Sequence, residues 1–248
     1  MTDPQPAFNY RYFVQKAAHT GGRVLDYGCG GGQIVALGLE CGLDIWGADT
    51  YAEYYNGWGT PLTPQVRDRV KTIRNGVIDF PDGHFNVVLS NQVLEHVTDP
   101  EAVIAEVFRV IRPGGLFIAA FPVIETWYEG HVGLYFAHRL PPGSWRRRAY
   151  FDLCHRLGRG FRRGSMTRPQ WIEFCERTLD DVCFYYSRRR MFAAIQNTFG
   201  NRVDDISVDY MRARLKDRAQ YIPALADPAL RFVYHKRAGE VVKVSKST

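Results

Sequence analysis

The sequence contains no uninterrupted run of roughly 18 apolar residues, the length that a membrane-spanning helix needs. Residues 1–13 also lack the basic segment and the apolar core of a secretory signal peptide. The composition, 46% hydrophobic and 23% charged over 248 residues, is that of a soluble globular chain with room for one well-buried domain. These absences predict a cytoplasmic protein.

Cysteine is sparse and irregularly placed. The five cysteines form no CxxC pair, which argues against a disulfide framework and against a zinc ribbon, so we interpret them as ordinary buried or half-buried thiols. The seven histidines are scattered, and His131 and His138 lack the accompanying carboxylates that a magnesium site needs. The sequence therefore predicts no metal site.

The chain does contain a regular alternation of apolar strands and helices. Residues 85–90 form a near-continuous apolar run, typical of a strand covered on both faces. Asp99 can cap the next helix, with Pro100 in its first turn and Gly114 after its end. Further strands are predicted at 23–27, 44–49, 70–73 and 116–121, and a further helix at 33–41. The alternation predicts the α/β class, with a doubly wound, mostly parallel sheet.

The alternation of strands and helices is interrupted after the fifth predicted strand and resumes after residue 185. A helix is predicted at 187–200, a sixth strand at 202–210, and a hairpin or final strand at 230–244 with a turn at Ala238-Gly239. We divide the chain into an N-terminal helix (1–20), a cofactor-binding core (21–122), an inserted basic and aromatic lid (123–185) and a segment that completes the sheet (186–248).

The stretch VLDYGCGGGQ (24–33) places an acid at the end of a strand and a glycine-rich loop behind it. In open α/β sheets, ligands bind beyond the carboxyl ends of the strands. Glycine lets the backbone approach a ligand closely, and amides at the following helix can face a carboxylate or phosphate. A dinucleotide fingerprint would have its third glycine at the position of Gln33, so the pattern here is a different one.

VLDYGCGGG (24–32), Asp49 and the segment FPDGHFNVVLSNQVLEHVTDPEAVIAEVFRVIRPGGLFIAAFP (80–122) resemble the class I S-adenosylmethionine-dependent methyltransferases, particularly the broad type 11-like group. The resemblance covers residues 22–122. It implies a Rossmann-like seven-stranded sheet and S-adenosyl-L-methionine as cofactor, with S-adenosyl-L-homocysteine as product. It implies nothing about the acceptor.

The resemblance also implies roles for individual residues. Asp26 and the backbone of Gly28, Gly30 and Gly32 would surround the methionyl part of the cofactor. Asp49 would accept hydrogen bonds from both ribose hydroxyls, a role that suits the two oxygens of a carboxylate. In the alternative, Asp49 is a strand-end turn or cap residue.

Further positions follow from the same resemblance. Asn75, or its neighbour Arg74, falls near the position that meets the adenine. Asn91, Glu95 and His96, in the segment SNQVLEH (90–96), are candidates to face the sulfonium and the acceptor. His96 has a structural alternative, in which a backbone carbonyl satisfies its ring.

The predicted lid begins with ETWYEGH (125–131), which follows the fifth strand closely enough to roof the site. Glu129 and His131 form a carboxylate–histidine pair of the kind that serves as a general base for a hydroxyl. We therefore predict His131, Glu129 and His96 as catalytic residues. In the alternative, the aromatic residues of the lid only pack it onto the core. The segment also resembles, more faintly, methyltransferases of bacterial surface-polysaccharide synthesis.

The lid carries most of the positive charge. Between His131 and Arg168 nine arginines face one acid, Asp152, for a net charge of +8 in a chain whose total is +6. The asymmetry predicts an anionic partner, and nucleic acid is disfavoured because no known binding module is visible. The remaining alternatives are a short interfacial membrane helix at 146–164, arginines that bind a phosphorylated acceptor, and a solvated face whose side chains cover an apolar patch.

The sequence thus predicts a methyltransferase that acts by direct displacement on a hydroxyl of a small, sugar-containing or phosphorylated acceptor. One alternative is an isoprenoid or quinone methyltransferase at the membrane surface. Another is a binding module that keeps the fold and the cofactor without catalysis.

Overall fold

The computed structural model describes residues 5–50, 62 and 64–247. Within these residues the strands are, in chain order, β1 (Val24–Tyr27), β2 (Ile45–Asp49), β3 (Val70–Thr72), β4 (Phe85–Asn91), β5 (Ile111–Phe121), β6 (Tyr128–Glu129), β7 (Leu134–Tyr135), β8 (Asp204–Asp205) and β9 (Glu240–Ser245). Seven of them form one sheet in the order β3-β2-β1-β4-β5-β9-β8, and β6 and β7 pair separately. The predicted seven-stranded sheet is confirmed.

The sheet is parallel from β3 through β5, and its last two pairings are antiparallel. In β4, Val87 and Leu89 contact one apolar cluster while Val88 contacts the other. Successive side chains of a strand point to opposite faces, so both faces of this strand are covered. This confirms the doubly wound, mostly parallel arrangement.

Helices cover both faces of the sheet. In the part of the chain that the structure describes, the α-helices are α1 (Gln5–Thr20), α2 (Gln33–Glu40), α3 (Pro64–Arg67), α4 (Pro100–Val110), α5 (Trp145–Arg156), α6 (Arg168–Arg177), α7 (Arg188–Phe199), α8 (Ser207–Leu215) and α9 (Asp227–Arg237). The predicted cap of α4 is confirmed, because Asp99 Oδ1 accepts a hydrogen bond from the amide of Ala102 at 2.9 Å. None of the described helices combines the length and the apolar character needed to cross a membrane.

The structure corrects two sequence predictions near the C-terminus. The sixth strand predicted at 202–210 is only the two residues of β8, and α8 follows at once. The first arm of the hairpin predicted at 230–244 is α9, and only its second arm, β9, is a strand. Tertiary packing overrides local propensity here: Tyr210 of α8 and Tyr234 of α9 are buried with their rings 5.1 Å apart.

The cysteines largely match their interpretation as buried thiols. All five are free, and only Cys41 is exposed. Cys41 ends up at the surface because it follows the last residue of α2, at the turn into Gly42.

Residues 132–179 contribute an apolar cluster separate from the two clusters that cover the sheet, and we keep the name lid for the predicted segment 123–185 that contains it. The buried residues of this cluster are Val132, Leu134, Ala137, Phe151, Cys154, Trp171, Ile172, Cys175 and Leu179. Trp171 is fully buried and donates from Nε1 to the carbonyl of Phe161 at 2.7 Å. The lid is therefore a packed unit rather than a loop.

The core of the lid generates a stability prediction. Trp171→Ala removes a fully buried indole and is expected to lower the free energy of unfolding by about 3–5 kcal/mol. Trp145→Ala is the matched control, because Trp145 is 74% exposed and its loss should cost no more than about 0.5 kcal/mol. Urea unfolding of both variants measures the difference, and equal costs would show that the lid core does not contribute to stability.

Candidate active site

The carboxyl ends of three parallel strands bring the predicted cofactor residues to one edge of the sheet. Asp26 of β1 lies in register with Gly47 of β2 and with Leu89 of β4. Asp49 is the last residue of β2, and Asn91 is the last residue of β4. The fold therefore places Asp26, Asp49 and Asn91 along the edge where such sheets bind ligands.

The glycine loop is held close to this edge by its backbone. The amide of Gly28 donates to the carbonyl of Ala48 at 2.7 Å. Gly28 has φ +74°, and a Cβ there would lie 2.3 Å from the side chain of Val93. A Cβ on Gly32, at φ +78°, would lie 2.4 Å from Val66. These two positions require glycine for both their conformation and their neighbours.

Gly30 differs from these glycines because a Cβ on it would meet no described atom within 4 Å. Its amide donates to Asp49 Oδ2 at 2.8 Å, which links the loop to the end of β2. Among the described residues, no side chain therefore covers the backbone of this loop at Gly30. A ligand there can approach the main chain directly.

The electrostatics of the loop favour a cationic ligand group. Asp26 is 2% exposed, and burial together with the neighbouring charge of Asp49 raises the pKa of its carboxyl well above the ordinary value. Two adjacent carboxylates are costly unless a positive group neutralises them. S-Adenosyl-L-methionine carries an ammonium and a sulfonium, so the described residues fit this cofactor. The buried hydroxyl of Ser90, which lacks a hydrogen-bond partner in the described structure, adds a free polar group at the same edge.

The two asparagines predicted to contact the cofactor lie in different settings. Asn75 is exposed, with φ +51°, in a tight turn closed by reciprocal backbone hydrogen bonds between Arg74 and Val77. Asn91 Oδ1 accepts from Nδ2 of Asn9 at 3.2 Å. Asn9, buried in α1, was not found by the sequence reasoning because no motif surrounds it. It shows that α1 packs against the end of β4.

A second polar cluster lies where the lid meets the loop after β4. Its centre is the buried carboxylate of Glu129. Oε1 accepts from the backbone amide of His131 at 3.0 Å, from the hydroxyl of Tyr185 at 2.5 Å and from Nδ1 of His131 at 2.7 Å. Oε2 accepts from the amide of Val132 at 2.6 Å. Glu129 therefore fixes the backbone and the ring of His131 together.

The structure brings the predicted catalytic residues into one group. His131 Nε2 lies 3.2 Å from Nε2 of His96, and Sγ of Cys183 lies within 4.8 Å of a ring nitrogen of each histidine. His96 Nδ1 lies 2.8 Å from the carbonyl of Val182, which matches the structural alternative considered for this histidine. Cys183 and Tyr185 were missed by the sequence reasoning, since they stand more than 50 residues after Glu129 and belong to no motif. The role of His131 as a proton acceptor stays a prediction.

Burial and hydrogen bonding shift the pKa values of this cluster in opposite directions. Burial and the neighbouring His131 lower the pKa of His96 to about 4. Burial alone would lower the pKa of His131 and raise that of Glu129. Hydrogen bonds with Cys183 and Glu129 nevertheless hold the His131 pKa well above its ordinary value, and the bonds from His131 and Tyr185 hold the Glu129 pKa below its own. Glu129 is therefore ionised and His96 neutral near pH 7.

The sheet, its glycine loop and its acid-lined edge define a Rossmann-like cofactor-binding protein. The chain belongs to the methyltransferase domain family, whose sequence model matches residues 8–156. The cofactor of such proteins is S-adenosyl-L-methionine.

Curated relatives share about half of the chain. A ubiquinone biosynthesis O-methyltransferase of Xanthomonas campestris pv. campestris is 31% identical over 144 residues, which cover 54% of this chain and 58% of that protein. A protein of the same name from Methylococcus capsulatus is 30% identical over 166 residues, 62% of this chain and 67% of that one. The chain therefore spans little more than half the length of the first of these relatives.

Solved structures share the fold over nearly the whole chain. An S-adenosylmethionine-dependent methyltransferase from Mesorhizobium loti has a TM-score of 0.52 at 16% identity, covering 97% of this chain and 96% of that one. The [4+2]-cyclase SpnF has a TM-score of 0.51 at 17% identity, covering 100% and 84%. Identities this low establish the architecture alone.

The position of Asp49 generates a binding prediction. Asp49→Ala is expected to weaken the affinity for S-adenosyl-L-homocysteine about 10- to 100-fold, because hydrogen bonds to a charged group contribute about 1.5–3 kcal/mol. Asp79→Ala, which removes an exposed acid beyond β3, is the control and should bind normally. Calorimetric titration measures both. Unchanged affinity of Asp49→Ala in a folded protein would remove Asp49 from the ribose site.

Proposed function

We propose that this protein transfers a methyl group from S-adenosyl-L-methionine to a hydroxyl of a small acceptor by direct displacement. One observation carries the proposal: the loop after β4 connects the two polar sites. Asn91 at its start belongs to the edge with the glycine loop, and His96 at its end contacts His131 of the lid. A cofactor at one site and an acceptor at the other would therefore be neighbours.

The cofactor side of the proposal uses the residues at the sheet edge. We assign cofactor contacts to Asp26, Gly28, Gly30, Gly32, Asp49, Asn75 and Asn91. When bound, the cofactor supplies an electrophilic methyl group on a sulfonium. The buried Asp26 neutralises positive charge, the glycine backbone allows close approach, and Asp49 accepts hydrogen bonds from the ribose.

The acceptor side of the proposal uses His131, His96 and Glu129 as the catalytic residues that face the acceptor. Because a sulfonium is already a good leaving group, the main task of the protein is to hold the nucleophile in line with the methyl carbon. Correct positioning of reactants can remove several kcal/mol from a barrier, and a displacement of about 1 Å can cost about 100-fold in rate. A cluster as fully hydrogen-bonded as that of Glu129 is suited to such positioning. The O-methyltransferase names of the curated relatives support a hydroxyl acceptor.

The charge of the lid supports an anionic acceptor, such as a phosphorylated or sugar-containing molecule. Several of its arginines already have acidic partners: Arg147 is buried against Asp180 at 2.8 Å, and Arg156 pairs with Asp152. Arg146 and Arg159, by contrast, form no ion pair within the described residues and are exposed. Arginines of this kind can bind a phosphate bidentately.

A membrane-associated acceptor, such as an isoprenoid or a quinone, is the second candidate. Trp145, Leu153 and Leu157 lie along one side of α5 and its C-terminal end and are 74%, 53% and 64% exposed. Arg146 and Arg156 lie beside them, as in a helix that rests at an anionic membrane surface. The curated relatives named for ubiquinone biosynthesis favour this class as well.

The proposed reaction predicts the behaviour of a histidine variant. The purified protein with S-adenosyl-L-methionine and a panel of phosphorylated sugars and phenols should form S-adenosyl-L-homocysteine. His131→Ala should reduce turnover about 100-fold while the affinity for S-adenosyl-L-homocysteine stays unchanged, since the acceptor loses its alignment. His19→Ala, at the exposed end of α1, is the control. Cofactor binding without turnover on any acceptor would instead support the non-catalytic binding module.

Flotation with vesicles of phosphatidylcholine and phosphatidylglycerol separates the two acceptor classes. A membrane-associated acceptor predicts that the protein floats and that Leu153→Glu with Leu157→Glu abolishes flotation, because the added charges disfavour insertion. Leu225→Glu is the matched control, since Leu225 is 91% exposed and lies outside the lid. A protein that stays in the dense fraction contradicts the membrane candidate and leaves the soluble anionic acceptor.

A further inference from the structure

Three side chains at the junction of the lid and the core bring potential metal ligands together. His96, His131 and Cys183 each offer one ligand atom, and these atoms lie within 4.8 Å of one another. The three residues come from the loop after β4, from the start of the lid and from its end. His96 and His131 are far apart in the sequence, but the fold brings their side chains together. The scattered positions of the histidines are therefore no argument against a metal site here.

The hydrogen bonds of the two histidines determine where their lone pairs point. His96 Nδ1 must donate to the carbonyl of Val182, and His131 Nδ1 must donate to the carboxylate of Glu129, because both partners only accept. In neutral rings, both Nε2 atoms are therefore unprotonated. These atoms face each other at 3.2 Å, so a proton or a metal ion must lie between them, because two lone pairs would repel each other.

A buried acidic side chain beside the histidines also favours a nearby cation. The side chain of Glu95 has no exposed surface, and neither of its oxygens has a hydrogen-bond partner in the described structure. Its Oε1 lies 4.0 Å from Nε2 of His96. A proton shared between the histidines would leave both oxygens of Glu95 unsatisfied, which is costly for a buried carboxylate. A metal ion between the imidazoles would accept both lone pairs and would place a positive charge close to Glu95.

We propose that His96 Nε2, His131 Nε2 and Cys183 Sγ bind a Zn²⁺ ion, with the nearby carboxylate of Glu95 as its counter-charge. Zinc–nitrogen and zinc–sulfur bonds of about 2.1 and 2.3 Å place the ligand atoms of a tetrahedral site about 3.3–3.7 Å apart, close to the observed spacing of the imidazoles. Each histidine also has the outer partner typical of zinc sites, a carboxylate for His131 and a backbone carbonyl for His96.

The chemistry of the three ligands selects the metal. A thiolate and two imidazoles disfavour magnesium and calcium, which prefer oxygen. Cysteine and histidine are common zinc ligands, and three protein ligands leave the fourth tetrahedral position for a water molecule or a carboxylate.

The second group of potential ligands lacks this need for a cation. Asp205, His235 and Glu240 also converge within 4.8 Å. However, Arg188 lies 3.0 Å from Glu240 and 3.4 Å from Asp205, and Arg231 lies 3.5 Å from Asp205. Two arginines already balance the two carboxylates, so a metal ion there would meet repulsion instead of unpaired anions.

Zinc in the first group would connect both ends of the lid to the core. His131 and Cys183 belong to the lid, and Glu95 and His96 belong to the loop after β4. With their Nε2 atoms on zinc, the histidines would act on an acceptor through position and charge and not as proton acceptors. Metal binding does not depend on the identity of the acceptor or on methyl transfer.

The test measures the metal content of the untagged full chain, purified without chelators and without cofactor or acceptor. Elemental analysis should find about one zinc per chain, as expected for one four-coordinate site. Replacement of zinc by Co²⁺ should give visible absorption of tetrahedral cobalt together with a near-ultraviolet thiolate-to-cobalt band. Cys183→Ser should lose that band and weaken metal binding, because it removes the thiolate.

Cys41→Ser is the matched control and should retain both metal and band, since Cys41 is exposed and distant from the ligands in sequence. Glu95→Gln should bind zinc more weakly than the unaltered chain. A folded chain that contains no zinc and takes up none, or one in which Cys183→Ser binds cobalt with an unchanged band, overturns the proposal. The first of these results would mean that the histidines share a proton. Either result leaves the methyltransferase proposal standing, since activity is not measured.

Discussion

The parallel pairing of β1 with β2 and β4 is the constraint on which the rest of the structure depends. Parallel strands end at the same edge, so residues far apart in sequence meet there. The parallel register of β1 and β2 brings Asp26 of β1 close to Asp49 of β2. The antiparallel β9 joins on the far side of β5, away from β1 and β2. The direction of the strands thus brings together the residues that we assign to the cofactor, before any single side chain contributes.

The lid depends on a different interaction, the hydrogen bonding of the Glu129 carboxylate. Four hydrogen bonds from three residues converge on its two oxygens. They fix the start of the lid to Tyr185 at its end, and they set the tautomer of His131. A buried carboxylate that is fully bonded holds its neighbours in one arrangement, whereas both oxygens of Glu95 nearby lack a hydrogen-bond partner in the described structure. The two acids therefore differ in whether the folded chain itself satisfies them.

Much of the fold and of the cofactor edge could be predicted from the sequence. The apolar run of β4, the cap at Asp99 and the glycine loop depend on short-range chemistry that the order of residues expresses directly. The helices α8 and α9 could not be predicted, because Tyr210 and Tyr234 have strand-like propensity and only their mutual packing decides the conformation. Only part of the cluster around His131 could be predicted. Glu129 and His131 are close together in the sequence, whereas Cys183 comes near them only when the lid folds.

The two ends of the lid leave and rejoin the core side by side. The amide of Ile124 donates to the carbonyl of Tyr186 at 3.0 Å. The amide of Phe184 donates to the backbone carbonyl of Glu95 at 2.6 Å. A segment whose ends nearly coincide, and which has its own apolar core, adds no strain to the sheet that carries it. Evolution can lengthen, shorten or exchange such a segment without refolding the host. The lid is therefore the natural unit for transplantation between related enzymes when a new acceptor specificity is sought.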